Sequence, residues 1–399
     1  MSSVTQEKSR TCACGTAVRH RMSGHEAIER TSCPGCGKTH RFISYVRMDI
    51  ALSEYCNLTC QMCRRPSEAL FIDEALVLRV LSEAADLGFE FLSFSGGEPF
   101  VHPAIRRILA HAVSLGVKVQ MVTNGTLVKE SDLDLLAKLD CVTVSVDGLA
   151  EVHDHIRQRP GTFLRTEKTL RWLAADRRIT WGTSTVMQRD NAHQLYDVFA
   201  HFQAIGGVRY AYCNFAHCEL TPDIAHLRMS PEQQASAGEQ LRRIGDACEK
   251  TNTYFSQRDL LLEHFEVYAD KEKRYRPLDG CKIPQKFLGF SEHGFYPCWH
   301  QGRNLRSGSL IEALESELAR DIVLEGLERR CVGCNAFNYA WDDEWNAGVL
   351  AAARAGDGIA HGIVPLRVPS RDGRADKPGR SPDGRVAGRG AAYVDLHDD

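Results

Sequence analysis

The chain lacks any apolar run near the roughly 20 residues that a membrane span requires. Its opening residues, MSSVTQEKSR, lack the apolar h-region of an export signal. It also lacks a dominant charge: 49 Lys and Arg stand against 52 Asp and Glu, a net −3. That excludes a strongly basic protein built for nucleic-acid backbones, and no basic–aromatic pattern supports such a role. No internal repeat of fixed period is evident. Neither membrane nor nucleic acid is therefore an expected partner, and the reducing cytoplasm is the expected compartment. Cysteine, by contrast, is abundant: 15 in 399 residues. In a reducing compartment, grouped cysteines more often hold metals or clusters than disulfides.

With 43% hydrophobic and 25% charged residues, most of the chain should fold as a soluble globule of two or three domains. Residues 1–44 are polar and Cys/His-rich, too few to bury a core without a metal. From 45 to 220, apolar strands (46–53, 89–95, 117–123, 141–146, 180–187, 208–214) alternate with amphipathic helical stretches (73–87, 103–115, 131–139, 163–175, 192–205). That rhythm predicts a parallel sheet with right-handed crossovers. Six units are too few for an eight-fold barrel of ~250 residues, so the expected fold is α/β, a partial (β/α)6 TIM-like barrel. Residues 221–275 read as a helical linker opened by Ser230-Pro231-Glu232. Residues 276–345 carry the late cysteines, and 346–399, rich in Gly, Pro, Arg and Asp, read as a mostly disordered tail.

Cys56-x3-Cys60-x2-Cys63 follows the first strand, at the sheet's C-terminal end, where barrel active sites are built. At this cysteine frequency the spacing is expected by chance about 0.02 times. Three thiolates are one short of the usual four for a 4Fe–4S cluster, leaving one iron open for an exchangeable ligand. By the logic of zinc sites, an open position marks a catalytic centre.

The stretch Cys-Asn-Leu-Thr-Cys-Gln-Met-Cys at 56–63 resembles the cluster motif of radical S-adenosylmethionine (SAM) enzymes. Ser95-Gly96-Gly97-Glu98-Pro99, at the end of the second strand, resembles that family's GGEP motif. Two glycines let the backbone approach a ligand closely, and carbonyls with Glu98 can accept bonds from an ammonium group. Thr123-Asn124-Gly125 ends the third strand. Ser145-Val146-Asp147-Gly148 ends the fourth and runs on to His153-Asp154-His155-Ile156-Arg157. This segment resembles the S-x-D-G … H-D-x-x-R stretch of relatives with auxiliary clusters. The resemblance implies cofactor contacts at Gly96, Gly97, Glu98, Asn124, Ser145, Asp147 and Arg157, with Arg157 suited to the methionine carboxylate. A helix-capping pair and a surface arginine is the alternative for Ser145, Asp147 and Arg157.

Cys281, Cys298 and the pair Cys331-x2-Cys334 suit either zinc or an Fe–S cluster as soft ligands. Their order after such a core, with Gly294-Phe295-Tyr296-Pro297-Cys298 as a hairpin, resembles the twitch form of the SPASM domain. That implies one auxiliary 4Fe–4S cluster. Ala340 and Glu344 stand where a full SPASM domain would continue its cysteines, and the hairpin is one residue short of the usual pattern. Cys12-x-Cys14 and Cys33-x2-Cys36 read as a small zinc ribbon, with rubredoxin-like iron as the alternative and His20, His25 and His40 as substitute ligands. The ribbon is too short for the winged-helix leader-peptide domain of many peptide-modifying relatives.

Of the remaining cysteines, Cys141 and Cys248 read as buried packing. Cys213 and Cys218 flank the end of the sixth strand and are candidates for hydrogen-atom donation to a product radical, with local packing as the alternative. The resemblance implies hydrogen abstraction from a peptide or sugar-like natural-product precursor, giving oxidation or crosslinking, with flavodoxin or ferredoxin as electron donor. A redox-neutral epimerase using a cysteine donor, or a non-catalytic zinc/Fe–S sensor or scaffold, are the competing expectations.

Overall fold

The computed structural model describes residues 7–23, 26–63, 70–206, 208–215, 222–251, 253–255, 274–276, 287–298, 303–327 and 392–394. Two antiparallel hairpins open the chain: β1 (Glu7–Thr11) with β2 (Ala17–Arg21), and β3 (Ile28–Ser32) with β4 (Thr39–Ile43). Then follow β5 (Arg47–Ala51), α1 (Glu74–Leu87), β6 (Phe91–Ser95), α2 (Ile105–Ser114), β7 (Lys118–Thr123), α3 (Leu133–Leu136) and β8 (Cys141–Ser145). Next come α4 (Ala150–Arg157), α5 (Thr162–Ala175), β9 (Trp181–Met187), α6 (Leu195–Ile205) and β10 (Val208–Phe215). Strands β5 to β10 lie parallel and in sequence order, the half-barrel expected from the alternation.

The barrel runs further than the alternation of 45–220 indicated. Helix α7 (Pro231–Thr251) buries Leu241, Ile244 and Cys248 in one cluster with Leu195 and Phe199 of α6, and β11 (Tyr254–Phe255) pairs parallel with β10. The described residues 231–251 and 253–255 of the segment read as a helical linker thus pack onto the last strand and its helix. At the other edge, β13 (Phe287–Ser291) pairs parallel with β5 and turns into β14 (Gly294–Tyr296), the hairpin expected before Cys298. A further antiparallel pair joins β12 (Arg274–Arg276) to β15 (Ala392–Val394), within the stretch read as a disordered tail. Helices α8 (Leu310–Leu314) and α9 (Glu317–Leu327) follow the hairpin.

The strands alternate in the way that a barrel wall demands. Met48, Ile50, Leu92, Phe94, Val119, Met121, Val142 and Val144 are buried in the core shared with the helices. Helix α1 presents Val77, Val80, Leu81 and Ala84 to that core at helical spacing. Each such Val or Leu contributes about 1.5–3 kcal/mol by leaving water. Asp73 starts α1 by accepting the Leu76 N–H at 3.1 Å, and Gly88 ends it in the left-handed region. The Arg10 guanidinium of the ribbon donates to the terminal carbonyls of Asp86 and Leu87, a cation placed on the negative end of the helix. The ribbon therefore sits at the N-terminal ends of the strands, away from the three-cysteine loop.

Candidate active site

The three-cysteine loop leaves β5 at its C-terminal end and is pinned from below by the GGEP turn. Gly97 N–H donates to the Ser53 carbonyl at 2.9 Å and Glu98 N–H to the Tyr55 carbonyl at 3.2 Å. Gly96 has φ +97°, a conformation that L side chains rarely adopt. Glu98 is buried, and its carboxylate accepts from the Thr123 hydroxyl (2.7 Å), Asn124 N–H (2.7 Å) and Phe100 N–H (3.2 Å). Burial pushes this carboxyl up from its ordinary range, and these three donors oppose the shift. These bonds brace the end of β7 against the turn.

Above the turn, protein donors converge on the sulfurs. Leu58 N–H lies 3.4 Å and Asn124 Nδ2 3.8 Å from Cys56 Sγ, and Arg157 Nη1 lies 3.8 Å from Cys60 Sγ. Asn124 is itself fixed by Asn57 and by the Thr126 N–H and hydroxyl. Burial pushes Cys60 up to about 11 and Cys56 upward, so thiolates here need a positive partner. Helix α4 and the turn after it grip the loop from the side: Gln61 N–H donates to the Ile156 carbonyl at 2.9 Å, and Arg159 to the Asn57 carbonyl at 3.0 Å. Periodicity missed this helix, although the closely spaced His153, Asp154, His155 and Arg157 marked its chemistry.

Arg157 also meets Asp147, whose Oδ2 stands 2.5 Å from Nη2. Both residues are buried, Asp147 completely. Burial works against the charge on Arg157, but Asp147 and Cys60 outweigh it and hold its pKa above the ordinary value. The Nε of Arg157 is buried without a partner, as is Nε2 of His153. Desolvation lowers the His153 pKa well below its usual value, with Arg157 adding to the effect, so this imidazole is neutral.

These features fit a cluster with a small polar ligand. The sulfurs of Cys12, Cys14, Cys33 and Cys36 all lie within 4.8 Å of one another, the compact set of a single tetrahedral ion. The unpartnered Arg157 Nε adds a buried donor for an anionic group.

The inner wall beside the loop is half open. Ser95, Gln120, Val122, Ser145, Ser184 and Val186 keep intermediate exposure while the intervening residues of their strands are buried. Ser145 pairs in register with Ser184. Below them, a β-carbon at Gly182 would meet the Tyr210 ring at 2.4 Å, and the Tyr210 hydroxyl contacts Thr143 Oγ1, so Tyr210 closes the lumen. Arg47 reaches Asp49 (2.6 Å) and Ser93 (3.0 Å), completing a polar floor.

Cys213 does not face this chamber. It is 5% exposed, packs with Leu241, Ile244 and Cys248 toward the helices, and burial raises its thiol to about 12. Its candidacy as hydrogen-atom donor is corrected to packing. Cys141 is half-buried at the start of β8, and desolvation raises its thiol to about 12. Cys298 lies just past β14; Cys218, Cys281, Cys331 and Cys334 fall outside the described residues.

Residues 50–202 match the family model "Radical SAM superfamily". The chain is 32% identical over 169 residues to an AdoMet-dependent heme synthase of Methanosarcina barkeri, covering 40% of this chain and 47% of that protein. It is 31% identical over 165 residues to a PqqA peptide cyclase of Methylocella silvestris, covering 40% and 44% respectively. It is 30% identical over 192 residues to the subtilosin biosynthesis protein AlbA of Bacillus subtilis, covering 46% and 42%. The chain thus spans under half the length of these curated relatives. Among solved structures, Streptococcus suis SuiB bound to S-adenosylmethionine superposes with TM-score 0.55 at 17% identity, over 74% of this chain and 72% of that one. The likeness to SuiB concerns the fold alone. The fold, the three-cysteine loop with its GGEP brace, and the family match agree: residues 50–202 of this chain resemble a radical SAM domain.

Proposed function

We propose that this chain is a radical SAM enzyme that oxidises or crosslinks a peptide precursor by abstracting a hydrogen atom from one of its carbons. The carrying observation is the convergence of Asn124, Arg157 and the Leu58 amide on the sulfurs of a loop that opens beside a half-exposed chamber. When bound, a 4Fe–4S cluster on Cys56, Cys60 and Cys63 and its SAM ligand supply a 5′-deoxyadenosyl radical. The protein does the rest. Ser145 and Arg157 orient the SAM carboxylate, the Gly96 and Gly97 carbonyls receive its ammonium group, and the chamber wall positions the substrate carbon and excludes water.

A peptide substrate is supported by the names of the relatives PqqA peptide cyclase and subtilosin biosynthesis protein, and by the SuiB structure bound to its precursor peptide SuiA. A low-potential donor such as flavodoxin or ferredoxin supplies the electron. Cys281, Cys298, Cys331 and Cys334 would hold an auxiliary 4Fe–4S cluster, which would supply an electron acceptor, and the N-terminal cysteines would hold zinc. No helix among the described residues is long and apolar enough to cross a membrane.

Anaerobic reconstitution tests the reading. The loaded chain should form 5′-deoxyadenosine from SAM with dithionite, and Cys56→Ala should abolish it. Candidate precursor peptides incubated in deuterated solvent should lose two mass units on crosslinking, without gaining deuterium. A fully loaded chain that forms no 5′-deoxyadenosine refutes the proposal, and deuterium gain by an otherwise unchanged peptide reassigns it as an epimerase.

A further inference from the structure

The buried pair of Asp147 and Arg157 stands between the end of β8 and the cluster loop, and the acid is held from several elements. Asp147 Oδ1 accepts the Val186 N–H at 2.8 Å, its backbone carbonyl accepts Asn191 Nδ2 at 2.8 Å, and its N–H donates to His153 Nδ1 at 3.2 Å. Asn191 and Asp147 have no exposed surface, and His153 has 1%. The carboxylate is thus fixed by three elements: the end of β8, the end of β9 with its following turn, and α4. It holds Arg157 by one nitrogen, Nη2, while Nη1 is turned onto Cys60 Sγ.

We propose that Arg157 sets the reduction potential of the cluster carried by the three-cysteine loop, and that Asp147 is the positioning residue that keeps the guanidinium on Cys60. This rests on the reading of Cys56, Cys60 and Cys63 as cluster ligands. Reduction adds one negative charge to the cluster. A cation bonded to a ligand sulfur stabilises the reduced form more than the oxidised one, and hydrogen bonds to sulfur are among the levers that set cluster potential. The site is buried, so the charge acts with little solvent screening. Asp147 offsets part of that field, while Arg157 Nη1 stands 3.8 Å from the ligand sulfur itself. His153 is neutral and adds no charge. Glu98 is the further buried acid that senses Arg157, and it is committed to bracing the turn.

The test is an EPR-monitored redox titration of the reconstituted full chain without SAM, following the signal that Cys56→Ala removes. Iron per chain is counted first. A wild-type chain whose count is unaltered by Cys56→Ala overturns the cluster reading itself, before any potential is measured. Given a loaded site, Arg157→Gln should move the midpoint to more negative potential at unchanged iron content, and Arg157→Lys should return most of the shift. If the Gln variant does not retain its iron, Arg157→Met is titrated in its place and read in the same way. In an Asp147→Ala background, the Arg157→Gln shift should shrink to less than half, because the guanidinium is no longer held on the sulfur. An unchanged midpoint in the loaded neutral variant overturns the role of Arg157. An equal shift in both backgrounds overturns the positioning role of Asp147.

Discussion

Gly97 lies directly under Tyr55: a β-carbon at residue 97 would stand 1.9 Å from the Tyr55 carbonyl oxygen and 2.5 Å from its carbon. The residue that meets this glycine is the backbone that leads into Cys56. The GGEP turn is therefore a seat for the cluster loop. Gly97→Ala should force the loop off its seat, costing about 1–3 kcal/mol as an overpacked contact, and should lower iron uptake at the loop by at least half. Gly116→Ala is the control: its φ is also positive, at +71°, but no atom lies within 4 Å of the added carbon. It should cost about 1 kcal/mol by backbone strain and leave iron uptake unchanged. Thermal melts and iron analysis of both variants check this.

Glu98 gives a second test of the seat. Glu98→Ala leaves the Thr123 hydroxyl and the Phe100 and Asn124 amides without their acceptor. A lost partner for a buried donor costs about 1–3 kcal/mol, so the variant should lose at least 2 kcal/mol in denaturant unfolding. Glu98→Gln, which keeps an acceptor oxygen, should recover part of that loss. A residue serving chiefly a SAM ammonium group would instead leave unfolding unchanged and raise the KM for SAM.

The six-strand rhythm and the three-cysteine loop were legible in the sequence because each is local: an apolar alternation, or a fixed spacing on one loop. What escaped depends on distant partners. Nothing near residue 97 says that Tyr55 lies above it. Nothing in the spacing of Ser145 and Arg157 places the guanidinium on Cys60 or hands its other nitrogen to Asp147. Cys213 ends up in the helix-side core because strand parity, set by the register of β10 on β9, turns it outward. The sequence showed only that it stood near the strand's end. The packing of α7 onto α6 is likewise invisible in a stretch whose polar composition dominates its apolar stripe.

Ser184 tests the chamber without touching the residues assigned to SAM. Its register partner is Ser145, and both side chains keep partial exposure on the inner wall. Ser184→Leu should fill the space above the Tyr210 floor. Peptide turnover should fall at least tenfold while 5′-deoxyadenosine formation without peptide stays within twofold of wild type. Side-by-side assays of product and 5′-deoxyadenosine check this, and an equal fall in both would place Ser184 at the cofactor instead.

The ribbon makes a different kind of prediction, because it touches the barrel far from the chamber. Its Arg30 and Arg41 both pair with Glu315 beyond α8, at 2.6 and 2.8 Å, while Arg10 caps α1. The N-terminus of α8 is in turn held by Glu83 of α1, which accepts the Leu310 N–H at 2.6 Å. Ala27, Ile28, Ile43 and Tyr45 share one core with Leu310, Leu314 and Ile322. The four thiols thus tie a small unit that joins α1 to the C-terminal helices. Metal binding in so small a unit is folding free energy, whereas the partly exposed Glu315 pairs contribute about 1 kcal/mol or less. Cys33→Ser should therefore release the ribbon's metal, lower the melting temperature, and raise amide hydrogen exchange in Leu310–Leu314 and the end of α1. Glu315→Gln should produce a much smaller version of the same pattern with the metal retained. Below the melting temperature, 5′-deoxyadenosine formation by Cys33→Ser should stay near wild type, because the ribbon lies at the N-terminal ends of the strands and the cluster loop at their C-terminal ends. Loss of that activity at full iron loading would show that the ribbon reaches the chemistry.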